Sequence, residues 1–470
     1  MYPVGQQVLA GPPGDNAYVP LIDSLATTPE LAEIFSDPSV LAAMLQFEVA
    51  LALVEARLGV IPPDAAALIA AAAKTANFDA ASLCAQALQS GTLTIPFVKD
   101  FTEQVRKTDP KAAGFLHWGA TSQDVADTAM VLLLQRALPI LDRDLDLLAV
   151  NLRRLSDDHK DTVMLGRTLL QSAPPITFGL KIAGWLAAIE RSRTRLNSSL
   201  GDALVLQFGG ASGTLASLGD RGLQIGQALA SELGLSFPQA PWHTHRDRLA
   251  ALVADCGVLV GCLGKMARDI SLLMQNEIAE VAEPSDAGRG GSSAMPQKHN
   301  PVGCVLTLAA AIRVPGMVAA YLSAIVQEHE RGAGGWQAEW PILAGIVQST
   351  GLAAASMAEV AGGLTVDSDR MRANLEANQG LVFAEKASML LASRLGRAAA
   401  HKLLQEATRR SLAQKRRLAE VLGEIPEAAQ QLDSGDLSKL EDPEDYLGSA
   451  EAFRQRLLAR QPRSSESTKD

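Results

Sequence analysis

Aromatic residues are scarce in this chain. Phe, Trp and Tyr make up 4% of its 470 residues, although 47% are hydrophobic. The apolar content is mostly Ala, Leu and Val, which disfavours a core built on large rings and favours helices packed closely on helices. Cysteine is scarce too: Cys84, Cys256, Cys262 and Cys304 form no C-x-x-C pair. That excludes a disulfide framework and a thiol zinc site, and fits reduced thiols in a cytoplasmic protein. Positive charge is not in excess. A formal charge of -10 argues against a nucleic-acid or anionic-membrane partner, while local cations can still receive an anionic substrate. Met1-Tyr2-Pro3-Val4-Gly5 carries no basic region followed by an apolar core, so no secretory signal is expected. The most apolar stretches are broken by Asp255 and Lys265, or by Arg313 and Pro315, so no membrane span is expected. No P-loop, dinucleotide fingerprint or G-x-S-x-G elbow is present, and His243 and His245 lack a third ligand at useful spacing. Neither a cofactor nor a metal is expected.

What is present is helical periodicity nearly throughout. Ser39–Leu58 is expected to be a helix stopped by Gly59 and Pro62-Pro63, followed by Asp64–Thr75. Val125–Leu138 is expected to end at Pro139, with a second helix over Ile140–His159. The longest apolar-periodic segments are Phe178–Leu200, Gly219–Leu233, Arg248–Val281, Val302–Gln327 and Pro341–Gly362. Beyond Gly362-Gly363 the helices become shorter and more charged: Asp367–Glu376, Ala384–Leu395, Ala398–Gly423 and Pro443–Ala459. Residues 1–20 and Gln461–Asp470 are expected to be irregular. The fold class is all-α with a central long-helix bundle. At this length several domains are expected, over residues 1–112, 113–362 and 363–470.

Polar segments interrupt this background. In His117-Trp118-Gly119-Ala120-Thr121-Ser122-Gln123-Asp124, Thr121 or Ser122 can cap the following helix. That leaves N–H groups suited to a carboxylate; the plainer reading is capping alone with a structural His117. Gly166-Arg167-Thr168-Leu169-Leu170-Gln171-Ser172-Ala173-Pro174-Pro175 reads on its own as a helix–helix connection. The run from Ala282 to Met295 is long for a connection between helices, which favours function. It leads into Gly291-Ser292-Ser293-Ala294-Met295-Pro296-Gln297-Lys298-His299-Asn300-Pro301. Here Ser292, Lys298 and Asn300 supply a hydroxyl proton carrier, a positive charge and an amide, a set suited to an anionic substrate. His329-Glu330-Arg331, followed by glycines, reads as a binding turn. The Arg409-Arg410 and Lys415-Arg416-Arg417 cluster reads as a solvated face.

In this order, the segments resemble the fumarase/aspartase superfamily. Gly291–Pro301 matches its GSSxMPxKxNP motif at every fixed position, and the resemblance covers nearly the whole chain beyond about residue 20. It implies three helical domains, a homotetramer on a central bundle, and active sites shared by three subunits. His117–Asp124, Gln327-Glu328-His329-Glu330-Arg331, Asn378-Gln379-Gly380-Leu381-Val382 and Asp442-Pro443-Glu444-Asp445-Tyr446-Leu447-Gly448 resemble the bacterial 3-carboxy-cis,cis-muconate cycloisomerase branch. The substrate implied is a small tricarboxylate of protocatechuate breakdown. The implied catalytic residues are Ser292 and Lys298. The implied substrate-binding residues are His117, Thr121, Ser122, Arg167, Gln171, Ser293, Met295, Asn300 and Arg331.

Two departures favour that branch. Many superfamily lyases carry a histidine in a GRTHxQ segment, acting on the leaving group; here it is Leu169. Adenylosuccinate lyases follow their HER segment with serines and an arginine that hold a phosphate. Here Gly332–Trp340 has no serine, and tryptophan stands in the arginine's place. The missing histidine suits the chemistry: a carboxylate of pKa about 4 departs at neutral pH without being protonated.

Overall fold

The computed structural model describes residues 20–285, 290, 291, 295 and 298–459. The expectations for residues 1–19 and Gln461–Asp470 lie outside them, as do Ser292 and Ser293.

The fold is all-α with two minimal sheets. Thr28 and Ser36 cap α1 (Pro29–Ile34) and α2 (Asp37–Arg57), each hydroxyl accepting the N–H three residues on. α3 (Pro63–Thr75), α4 (Ala80–Ser90) and α5 (Thr94–Thr108) follow. Ala52, Ile69, Phe101 and Val105 from α2, α3 and α5 share one apolar cluster.

α6 (Ser122–Asp158) is a single helix, not two, and runs through Pro139. A proline inside a helix costs about 3 kcal/mol. Leu134, Ala137, Leu138, Leu141 and Leu145 keep one face buried on both sides of it, and that burial outweighs the break.

The segment after α6 is a β-hairpin, not a helix–helix connection. β1 (Val163–Thr168) pairs antiparallel with β2 (Gln171–Thr177). Leu169 and Leu170 form the two-residue turn, both left-handed at φ 51° and 63°. Asn and Gly normally occupy such a turn, so two leucines hid it. A β-carbon at Gly166 would lie 2.3 Å from the Pro174 carbonyl oxygen, at the register irregularity beside Leu165.

α7 (Phe178–Ala203), α8 (Gly222–Leu233) and α9 (Asp247–Leu273) follow. α9 stops short of its expected end at Val281. Ala279 turns left-handed, and β3 (Val281–Ala282) pairs with β4 (Thr365–Val366). Between these strands lie α10 (Val302–Ala324) and α11 (Gly335–Gly363). The rest is α12 (Ser368–Glu376), α13 (Ala384–Leu395), α14 (Arg397–Gln414), α15 (Leu418–Glu424), α16 (Pro426–Ala429), α17 (Ser434–Leu440) and α18 (Ala450–Leu458). The helix expected over Ala398–Gly423 divides at Lys415, which is left-handed at φ 52°. α18 replaces the second half of the helix expected from Pro443.

By length and composition alone, α2, α9, α10 and α11 are long and apolar enough to cross a bilayer. α2 buries Glu48 and Glu55, and α11 buries Glu339, each beside apolar neighbours of the core. α10 buries only 28% of its apolar window.

The chain divides into two compact units. The first comprises residues up to Asp146, Arg191–Gly264 and Leu306–Ser356; the second comprises Leu147–Glu190, Lys265–Val305 and Met357 onward. In the second, Leu391, Ala407, Leu418 and Leu440 form one core, and Val163, Leu165, Leu375 and Phe383 another.

Candidate active site

The first unit organises the start of α6. His117 is left-handed at φ 59° and Gly119 follows at φ 73°. A β-carbon at Gly119 would lie 2.7 Å from Leu218, so the turn needs glycine for both space and conformation. Thr121 then precedes the helix as its cap. Asp124 folds back from the first turn and accepts the Thr121 N–H at 3.0 Å. Its carboxylate also accepts the N–H groups of Gly209 at 3.0 Å and Gly210 at 2.9 Å, and pairs with Nε2 of His243 at 2.7 Å. The chain's own carboxylate therefore occupies part of the helix start. Ser122 and Gln123, with no carbonyl one turn back to bond, remain the N–H groups suited to an outside anion.

His117 places Nδ1 2.7 Å from Glu48 of α2. Arg331 donates to Gln123 Oε1 at 3.2 Å and to the Ala211 carbonyl at 3.0 Å. His117, Thr121, Ser122 and Arg331 therefore lie around one helix start. Beneath it is a buried charged network. Arg246 donates to Asp127 at 2.7 and 2.9 Å and to Glu339 at 2.6 to 3.0 Å, with its guanidinium 4.5 Å from the Trp242 ring centre. Burial pushes Glu339 above the usual carboxylate range even with Arg246 pulling the other way. Trp336 donates its indole N–H to Asp127 at 3.0 Å.

The second unit holds the other candidates. Arg167 on β1 forms a two-pronged pair with Glu280, at 2.6 and 3.0 Å, and Asn374 donates to the same carboxylate at 2.8 Å. Gln171 is exposed at the start of β2, opposite Thr168. Burial lowers Lys181 below the usual amine range, with Asp269 opposing. In the loop, Gly290 accepts the Asn300 N–H at 2.8 Å, and Gly291 bridges His299. The Lys298 N–H reaches the Met295 carbonyl at 3.0 Å, and both side chains are exposed. Glu283 takes the N–H groups of Gly303 at 2.9 Å and Cys304 at 2.8 Å, capping α10.

A family model described as lyase matches residues 24–316, and one described as adenylosuccinate lyase C-terminus matches residues 380–457. The chain belongs to this lyase family. Among curated relatives, a 3-carboxy-cis,cis-muconate cycloisomerase of Bradyrhizobium diazoefficiens is 46% identical over 94% of this chain and 98% of its own length. A nitrosuccinate lyase of Streptomyces davaonensis is 42% identical over 90% and 91%. The crystal structure of the 3-carboxy-cis,cis-muconate lactonizing enzyme from Pseudomonas putida superposes with a TM-score of 0.87 at 44% identity, covering 93% of this chain and 98% of that one.

Within this lyase chain, sequence reasoning missed Glu48 and Asp124 as residues that shape the site. Asp124 was visible as a carboxylate in the first helical turn. Glu48 and Glu55 carried a weaker signal: two carboxylates seven residues apart on an otherwise apolar helix face. The contact of Arg246 with both Asp127 and Glu339 spans 119 and 93 residues, and no local spacing announces it.

Proposed function

We propose that this lyase-family chain interconverts 3-carboxy-cis,cis-muconate and 4-carboxymuconolactone, without a cofactor, in the protocatechuate branch of aromatic breakdown. The end-to-end identity of 46% to a cycloisomerase of that name carries the reading. Leu169 agrees with it: a carboxylate leaving group does not need the absent histidine.

In the lactone-opening direction, Ser292 takes the proton alpha to a carboxylate. The electron pair passes through an aci-carboxylate to form the new C=C bond as the ring C–O bond breaks, and the oxygen departs as carboxylate. In the closing direction, the carboxylate adds to the diene and Ser292 returns the proton to carbon. The second negative charge needs fixed positive groups and N–H donors. Lys298 and Asn300 polarise that carboxylate. Thr121, Ser122 and the start of α6 hold another, with His117, Gln171, Arg167, Ser293, Met295 and Arg331 lining the site. Excluding water from the filled site makes a serine alkoxide accessible.

The same reading takes the chain as a cytoplasmic homotetramer of three-domain subunits, over 1–112, 113–362 and 363–470, with active sites shared between subunits. Val305, Ile312 and Leu322 of the little-buried α10 are exposed, which supports association through that helix.

Purified protein mixed with 3-carboxy-cis,cis-muconate should abolish the conjugated-diene absorbance without added cofactor. An unchanged spectrum overturns the reading. The 42% identity to a nitrosuccinate lyase favours a second reading, since nitrite, too, leaves without protonation. Nitrite release from nitrosuccinate, with the diene untouched, selects it.

A further inference from the structure

Glu48 has no part in the chemistry above, yet it is placed where it controls a residue that does. Its side chain is fully buried within α2, and one oxygen accepts from Nδ1 of His117 at 2.7 Å. Its other oxygen has no hydrogen-bond partner among the described residues. An ionised carboxylate in such surroundings is very costly unless a cation answers it. The His117 ring is the group that touches it. That ring is 20% exposed, so one edge faces the buried acid and the other faces out beside the start of α6.

We propose that Glu48 is a positioning residue: it keeps the proton on Nδ1 of His117 and holds the ring as an imidazolium, a fixed charge for a substrate carboxylate rather than a base. The identity of that carboxylate rests on the proposed function; the Glu48–His117 pairing does not.

The charged neighbours agree. Burial alone lowers the His117 pKa, but the charge and hydrogen bond of Glu48 on α2, together with the charge of Asp124 on α6, more than reverse that and leave it raised. Asp124 is itself answered by His243 and three backbone N–H groups. Glu55, two turns along α2, is pushed up to about 8 by burial and by Glu48, so at neutral pH it stays uncharged and does not compete for the imidazolium. With His117 as an imidazolium, the buried Glu48 carboxylate has a cation in direct contact at 2.7 Å. The pair is therefore better suited to binding charge than to moving protons. It would add a cation to the N–H groups of Ser122 and Gln123 where one carboxylate is received.

The test follows the ring itself. In full-length protein labelled at histidine Cε1, the resonance lost in His117→Gln identifies His117 among the seven histidines. Its titration midpoint should lie above 6.5, and Glu48→Gln, which keeps an acceptor oxygen but removes the charge, should lower it by about one unit or more. In turnover of 3-carboxy-cis,cis-muconate, Glu48→Gln should raise KM at pH 8 about tenfold while kcat changes less than about threefold, the gap narrowing as pH falls. An unmoved midpoint in a folded Glu48→Gln, or a midpoint below 6.5 in the unaltered protein, overturns the proposal. If Glu48→Gln does not fold, the unaltered protein and His117→Gln still decide. The rise of KM at high pH should vanish in His117→Gln, and its persistence overturns the proposal. Absent turnover by the unaltered protein refutes the proposed function and leaves the midpoint to judge the pair.

Discussion

At the scale of single residues, the chain keeps carboxylates where burial works against their charge. Glu55 is the clearest, since burial and Glu48 raise it from the usual 4.5 to about 8, and neither of its oxygens has a hydrogen-bond partner among the described residues. The folded protein then holds a proton that the unfolded chain releases above pH 4.5. Stability is full below that pH, falls as pH rises toward 8, and levels off once both states are deprotonated. Glu55→Gln removes the ionisation. Its melting temperature should fall less than that of the unaltered protein between pH 5 and 8, with the advantage greatest at the alkaline end. Parallel melting curves across that range would count against a neutral Glu55. The sequence placed Glu48 and Glu55 on an apolar helix but gave no hint that His117, 69 residues away, would meet one of them. The motif residues were legible because loop chemistry is written locally. Asp124, His243 and Arg246 act through partners brought together by folding.

At the scale of elements, helices were legible wherever apolar periodicity ran long. The α13 boundaries, Ala384–Leu395, were read as they stand. Errors arose where burial or rare backbone geometry overrode local signals. Pro139 looked like a terminus, but the apolar face of α6 continues past it. The β1–β2 hairpin was hidden because its turn is made by leucines. Leu169 and Leu170 are 97% and 75% exposed in left-handed conformation, which costs roughly 1–2 kcal/mol each. Strain of that kind persists chiefly at functional sites. The double substitution Leu169→Asn, Leu170→Gly supplies the residues such a turn favours and should raise the melting temperature by a few degrees. If the tip lines a substrate site, as Arg167 and Gln171 beside it suggest, the same substitution should lower kcat/KM. A variant that gains stability and keeps full kcat/KM would make the leucines a packing accident.

At the scale of the whole molecule, α10 sets the question. It is as apolar as the buried α9, both windows having a mean hydropathy of 1.8, yet it buries half as large a share of that window. Exposing Ile312 and its neighbours in a chain of net charge -10 is costly in water and is relieved when a second copy covers them. Four chains of 49.6 kDa should elute as a particle of about 200 kDa, and Ile312→Glu should reduce that mass. The proposed sharing of active sites between subunits makes a sharper prediction. One variant carries Ser292→Ala; another carries His117→Gln, Thr121→Ala and Ser122→Ala. Each alone should have little activity at substrate well below KM. Unfolded together in equal amounts and refolded, they form mixed assemblies. A site that draws the loop from one subunit and the helix start from another is intact when the first subunit is the triple variant and the second is Ser292→Ala. Random mixing meets both conditions at about a quarter of the sites, so about a quarter of the unaltered activity should return. Sites contained within single chains would return none, because every chain then lacks one half of its own machinery.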